Sequence, residues 1–169
     1  SLAPQTDQWT GSLDFTQDKQ LQAQRPLSSR AADNTIAVAL TGPAPKYTWG
    51  LNDRFYPYRD PYWIEEGQRV EMVFSNPTPM GHPMHLHGHE FQILELDGEP
   101  LAGAMRDTVY VPKGGTCRIA FDANNPGIWA FHCHISYHHA RGMFNVVAYR
   151  SADLSWWNPS GFKHEHLPF

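Results

Sequence analysis

The chain has 169 residues, 41% of them hydrophobic, with 13 Lys and Arg against 17 Asp and Glu for a formal net charge of -4, and its mean hydropathy is -0.51. That is enough chain for one domain with a real core, and the weakly acidic balance offers no basic surface for nucleic acid. No apolar run reaches the roughly 18 residues that a membrane-spanning helix needs, and no charged stretch followed by an apolar one stands at Ser1, so any secretion signal is expected to have been removed or to belong to another polypeptide.

In chain order, residues 1–33 are polar and rich in glutamine (Gln5, Gln8, Gln17, Gln20, Gln22, Gln24) with no sustained helical stripe, and read as an extended arm or interdomain linker. From Thr35 the pattern changes to short β-rich runs separated by Pro, Gly and Asn, at 36–40, 47–52, 69–75, 85–95, 107–111, 116–122, 127–132 and 144–149. Closely spaced strands with turn signals predict an antiparallel sandwich or barrel, an all-β fold. A turn or two of helix is expected only near 135–141, and no internal repeat is present. Residues 151–169 form a tail with Trp156, Trp157, Phe162 and the pair His164 and His166.

The chemistry concentrates at Phe131-His132-Cys133-His134, which runs on through His138 to Met143. In a strand successive side chains alternate between faces, so the Cys133 thiolate points one way and both imidazoles the other. One segment can then serve two metal sites, joined by its own backbone. A trigonal set of two histidines and a cysteine with a weak methionine is the blue-copper electron-transfer arrangement. Cys133, His138 and Met143 supply three of those ligands. The other imidazole is available in Gly81-His82-Pro83-Met84-His85-Leu86-His87-Gly88-His89, where His82 lies outside the alternation that puts His85, His87 and His89 on one face. His82 is expected to turn toward the thiolate while His85 and His87 look into the second site. Zinc also accepts Cys and His, but it explains neither Met143 nor histidines on both sides of one cysteine. With Cys133 given to a metal, Cys117 is left as a buried free thiol acting as a small hydrophobe, or else bridges to another chain.

The two segments resemble the C-terminal copper motifs of the multicopper oxidases, the laccase family, His-Pro-x-His-Leu-His-Gly-His and His-Cys-His-x-x-x-His-x-x-x-x-Met, and they match at every ligand position. Trp49-Gly50-Leu51-Asn52 and Ile64-Glu65-Glu66-Gly67-Gln68-Arg69-Val70 also resemble the opening of the family's third domain, so the likeness runs from Tyr47 to Tyr149. It implies a cupredoxin-like Greek-key sandwich or barrel over residues 34–150, after the arm at 1–33 and before the tail at 151–169. It further implies type 1 copper on His82, Cys133 and His138 with Met143 axial, a type 2 ligand in His85, and type 3 ligands in His87, His132 and His134. The implied electron path runs from His138 through Cys133 to His132 and His134.

The family's trinuclear cluster uses four His-x-His pairs, and two stand here in recognisable context, His85-Leu86-His87 and His132-Cys133-His134. The resemblance therefore implies partner domains, or a partner chain, carrying the other two; His164 and His166 have neighbours unlike those motifs. The implied activity is one-electron oxidation of phenols or aromatic amines coupled to four-electron reduction of O2 to water, in a secreted or periplasmic setting. A cuprous or ferrous oxidase is the alternative within the family, although the five methionines form no methionine-rich run. A stand-alone electron-transfer cupredoxin would leave His85, His87, His132 and His134 idle, and a copper nitrite reductase needs only one histidine beside the cysteine. Asp107 is expected either to orient a ligand imidazole or to pair with Arg106, and His139 either to shuttle protons or to line the substrate mouth.

Overall fold

The computed structural model describes residues 15–56 and 60–155, so Trp156, Trp157, Phe162, His164 and His166 lie outside the described residues. Two sheets face each other. The first runs β2 (Thr48–Leu51), β1 (Asn34–Ala44), β4 (Arg69–Ser75), β10 (Thr116–Asp122), β6 (Phe91–Leu96) and β7 (Glu99–Pro100), with β8 (Met105–Arg106) also on β6. The second runs β3 (Tyr62–Ile64), β12 (Phe144–Tyr149), β11 (Ile128–Cys133), β5 (His82–Leu86) and β9 (Thr108–Val111). Among the described residues, helix is limited to α1 (Thr16–Gln20) and α2 (Ser136–Ala140), with a 3-10 turn at Pro45–Tyr47. None is long and apolar enough to cross a membrane.

The sandwich follows from two-residue periodicity. In β4, Val70, Met72 and Phe74 are fully buried while Glu71, Val73 and Ser75 look outward, so one face of the strand must be covered. β11 answers from the other sheet, with Phe131 stacked 5.9 Å from Phe74 between ring centroids. Each fully buried side chain of this size contributes about 1.5–3 kcal/mol relative to exposure.

Three expectations are corrected. The run 85–95 is not one strand: β5 lies in the second sheet and β6 in the first, and the chain crosses between them at His87–Glu90. Gly88 makes the crossing, with φ at +71° and the Trp129 ring so close that a β-carbon would sit 2.2 Å from it, a conformation and a space that suit glycine alone. The sandwich is also not wholly antiparallel, because β1 pairs β4 and β12 pairs β3 in parallel. Finally, the arm contains α1, a single turn without an apolar stripe. It forms where Phe15 packs against the core and Asp18 and Lys19 pair with Arg106 and Glu99, so tertiary contacts rather than periodicity select it. Farther along the arm, Arg69 donates to the Ser28 carbonyl at 2.9 Å while its guanidinium meets Asp122 at 2.7 Å.

Candidate metal centres

β11 and β5 are hydrogen-bonded neighbours in register, with Cys133 opposite Met84 and His132 opposite His85. Alternation then does the sorting. Cys133 and, on β5, His82, Met84 and Leu86 point into the core, whereas His132 and His85 point away from it. His82 therefore faces the thiol because it lies three positions, an odd step, before His85 within one strand. It thus lies off the face of His85, as the sequence suggested. His89, against expectation, is not on the face of His85 and His87: past the Gly88 crossing it is buried, with Nε2 2.8 Å from the Tyr149 hydroxyl.

On the core side, Cys133 Sγ lies 3.7 Å from His82 Nδ1 and 3.7 Å from His138 Nδ1, and those two nitrogens are 3.1 Å apart. His138 comes from α2. After that helix Gly142, at φ +115° with the Trp49 carbonyl 2.5 Å from where a β-carbon would be, turns the chain back. Met143 N then donates to the His138 carbonyl, and the Met143 carbonyl accepts from Cys133 N at 3.1 Å. All four side chains are buried, with His82, Cys133 and Met143 at 0% exposure.

Burial pushes the Cys133 thiol up to about 11. It pulls His82 down to about 4, with the neighbouring His138 adding to the effect, and lowers His138 as well. Metal-free and near neutrality, the trio is uncharged, so a cation entering must displace the thiol proton. The donor triangle, with edges of 3.1 and 3.7 Å, has a point about 2.0 Å from all three atoms, close to metal–nitrogen and slightly short of metal–sulfur bond lengths. One soft sulfur and two imidazoles at that spacing fit a soft or borderline ion.

The low affinity of His82 for protons predicts a pH dependence for the metal-free protein. Unfolded, this histidine titrates near 6.5; folded, near 4. Between those values the unfolded state binds more protons, so this contribution is fully present above 6.5 and is lost as pH falls toward 4. It amounts to about 3 kcal/mol at most. Urea midpoints measured from pH 7 to pH 4 are expected to fall, and to fall less steeply in His82→Asn; equal slopes would refute the assignment.

On the opposite face, His85, His87 and His132 bring ligating atoms within 4.8 Å of one another, with His87 Nε2 3.0 Å from His132 Nε2. Two of the three rings are oriented from behind. His85 Nδ1 lies 2.9 Å from both the Asp107 carbonyl and Thr108 Oγ1, and His132 Nδ1 lies 3.0 Å from the Cys133 carbonyl. An N–H given to a carbonyl leaves Nε2 as the donor to a metal. His134 is near but outside the tight trio, its ring 5.4 Å from that of His85. Burial first, and then the charges of His85 and His134, lower the pKa of His87; burial lowers that of His132. A groove of about 320 Å³ lined by His85, His87, His89, Glu90 and Asp107 opens here, and His87 and His134 are exposed.

The smaller expectations resolve as follows. Arg106 pairs with Asp18 at 3.6 Å, not with Asp107, whose carbonyl serves His85. His139 packs its ring 5.1 Å from that of His132. Cys117 is a free, buried thiol raised by burial to about 12. Sequence reasoning missed three residues: Trp49 stacks on His138 at 4.2 Å and meets His82 edge-on at 5.0 Å, Thr78 reaches the back of His82, and Tyr149 holds His89. Asn76-Pro77 is a turn-forming pair that fits a loop at Thr78, but nothing in the sequence aims that hydroxyl.

The family model for multicopper oxidase matches residues 29–153. The chain belongs to the multicopper oxidase family. Its members are copper-dependent oxidoreductases, so copper is the metal that membership implies for these donors. The chain is 42% identical over 114 residues to multicopper oxidase MmcO of Mycobacterium tuberculosis, covering 68% of this chain and 22% of that protein. It is 30% identical to Laccase-1 of Melanocarpus albomyces, covering 72% and 27%. Among solved structures it is similar to Fet3p, a multicopper oxidase that functions in iron import, with a TM-score of 0.73 and 26% identity over 89% of this chain and 37% of that one. The chain thus spans about a fifth to a quarter of the length of MmcO and Laccase-1.

Proposed function

We propose that this chain is the cupredoxin unit of a laccase-like oxidase that takes single electrons from phenolic or aromatic-amine donors and delivers them to O2, in a secreted or periplasmic setting. The observation that carries the proposal is the back-to-back placement of two donor clusters on one strand: Cys133 Sγ with His82 and His138 inside, and His132 and His134 one peptide away on either side. In this reading His82, Cys133 and His138, together with Met143, would hold type 1 copper, His85 would be a type 2 ligand, and His87, His132 and His134 would be type 3 ligands. Copper supplies the one-electron redox chemistry. The protein supplies a dry pocket around the sulfur, oriented imidazoles, and a covalent path from Cys133 to its neighbours. A further domain or chain carrying two more His-x-His pairs completes the second cluster.

The surface above His138 suits an aromatic donor. Tyr137 is 57% exposed and Tyr47 40% exposed. Their rings meet at 5.4 Å, and Tyr47 meets the buried Trp49 at 5.2 Å. A planar donor stacked here gains about 0.5–1.5 kcal/mol per ring contact. Tyr137→Ala is therefore expected to raise KM for a phenol by about 2- to 10-fold with kcat little changed. A specific observation favours the cuprous alternative: the thioether of Met80, 39% exposed, lies 3.5 Å from the Tyr47 hydroxyl, and thioethers are soft ligands for cuprous ion. Steady-state rates with a phenol and with cuprous ion, for Tyr137→Ala and Met80→Leu in the assembled enzyme, separate the readings. A phenol KM indifferent to Tyr137 alongside a cuprous rate lost in Met80→Leu would overturn the laccase-like assignment.

A further inference from the structure

The segment between β4 and β5 begins with two polar side chains that are almost fully buried, Asn76 at 1% and Thr78 at 3% exposure. Burying an amide and a hydroxyl costs free energy unless each is hydrogen-bonded. Asn76 is satisfied throughout. Its Nδ2 donates to the carbonyls of Met80 at 2.8 Å, Val111 at 3.0 Å and Pro112 at 2.9 Å, and its backbone exchanges hydrogen bonds with Gly114 and Gly115. The amide thus fastens this loop to the turn after β9. Its Oδ1 accepts from Thr78 N at 3.1 Å and from Thr78 Oγ1 at 2.7 Å.

Thr78 Oγ1 has three further neighbours, the Met80 carbonyl at 2.9 Å, His82 Nε2 at 2.8 Å and the Met80 N–H, which donates to one of its lone pairs at 3.4 Å. A hydroxyl owns one proton and two lone pairs. Asn76 Oδ1 and the Met80 carbonyl can only accept, so the single proton is drawn to them and a lone pair is left facing His82. Nε2 must then be the donor. A neutral imidazole has one N–H, so Nδ1 is left bare, aimed at Cys133 Sγ and His138 Nδ1.

We infer that Thr78, held by Asn76, is a positioning residue that fixes the Nε2–H tautomer of His82 and so presents Nδ1 as a metal donor before any metal arrives. The inference rests on the proposed copper ligation by His82. An N–H given to an oxygen makes the ligating nitrogen more basic, and losing such a partner commonly weakens metal binding about 10- to 100-fold. A more basic ligand favours the more highly charged metal ion, so Thr78 also holds the potential down.

Two measurements test this. In the metal-free protein, nitrogen–proton correlation spectra of the imidazoles must place the His82 proton on Nε2; a proton on Nδ1 overturns the inference, and this needs no variant. In the copper-loaded protein, Thr78→Val keeps the shape without the hydroxyl and is expected to bind Cu(II) about 10- to 100-fold more weakly and to show a raised potential, while Thr78→Ser restores both. A Val variant that loses stability but keeps the wild-type affinity and potential, or a Ser variant as impaired as Val, overturns it. Should the Val variant fail to fold, the tautomer in the wild-type protein decides alone. A wild-type protein that takes up copper without turning blue would instead defeat the copper assignment, and leaves the tautomer measurement standing.

Discussion

Cys133→Ser is expected to abolish the blue colour of the copper-loaded protein completely while leaving the fold nearly intact. In the proposed ligation the colour depends on a soft thiolate bonded to copper in a trigonal site. A serine hydroxyl is hard, and it keeps its proton near neutrality. The substitution is nearly isosteric at a position with 0% exposure, so little packing is lost, and Cys133 N still donates to the Met143 carbonyl. The same change removes the sulfur from the shortest covalent path between the two clusters, because His132 and His134 directly flank this residue. Turnover by the assembled enzyme should fall about 1,000-fold or more, as expected when one member of a unit that acts together is removed. Visible absorption, circular dichroism and donor oxidation measured side by side make the check. A serine variant that stays blue would show that the sulfur is not the ligand.

What was legible in the sequence is what periodicity and ligand chemistry control. Alternation about Cys133 put sulfur and imidazoles on opposite faces, and the strands at 69–75, 116–122 and 144–149 formed over those residues. The misread run 85–95 shows the limit of a local pattern. Met84 and Leu86 alternate with histidines before Gly88 and Phe91 and Ile93 flank Gln92 after it, so each half reads as strand, and the Trp129 ring packed against that glycine marks where the chain changes sheet. Trp49 and Thr78 were invisible for a related reason. Each acts on a histidine from a different element, Trp49 from β2 on His138 and Thr78 from a loop on His82, and sequence spacing carries no information about which side chains meet across such a gap. The parallel pairing of β1 with β4 was hidden likewise, since a strand's own residues report its burial and not the direction of its neighbour.

The 169-residue chain alone is expected to hold a blue copper but not to reduce O2. The two clusters differ in how much of their surroundings this chain supplies. The inner one draws every proposed ligand from β5 and from the loop between Cys133 and Met143, is closed by Trp49, and has its three strong donors already within 3.7 Å of one another. Ordering entropy for those side chains is spent in folding, so copper binds to a preformed site. The outer cluster is one-sided: His87 and His134 are exposed, and the groove bordered by His85 and His87 is open. Ions there are held by imidazoles from one direction and by water from the other, which fixes neither their number nor their geometry. Copper titration of the isolated chain should therefore give one ion that resists a chelator and is blue, with further ions readily removed. Oxygen uptake with a phenolic donor should be absent until a chain or domain bearing two more His-x-His pairs is added. Sustained oxygen reduction by the strictly monomeric chain would mean that the four outer histidines suffice by themselves, and the shared-cluster reading would have to be abandoned.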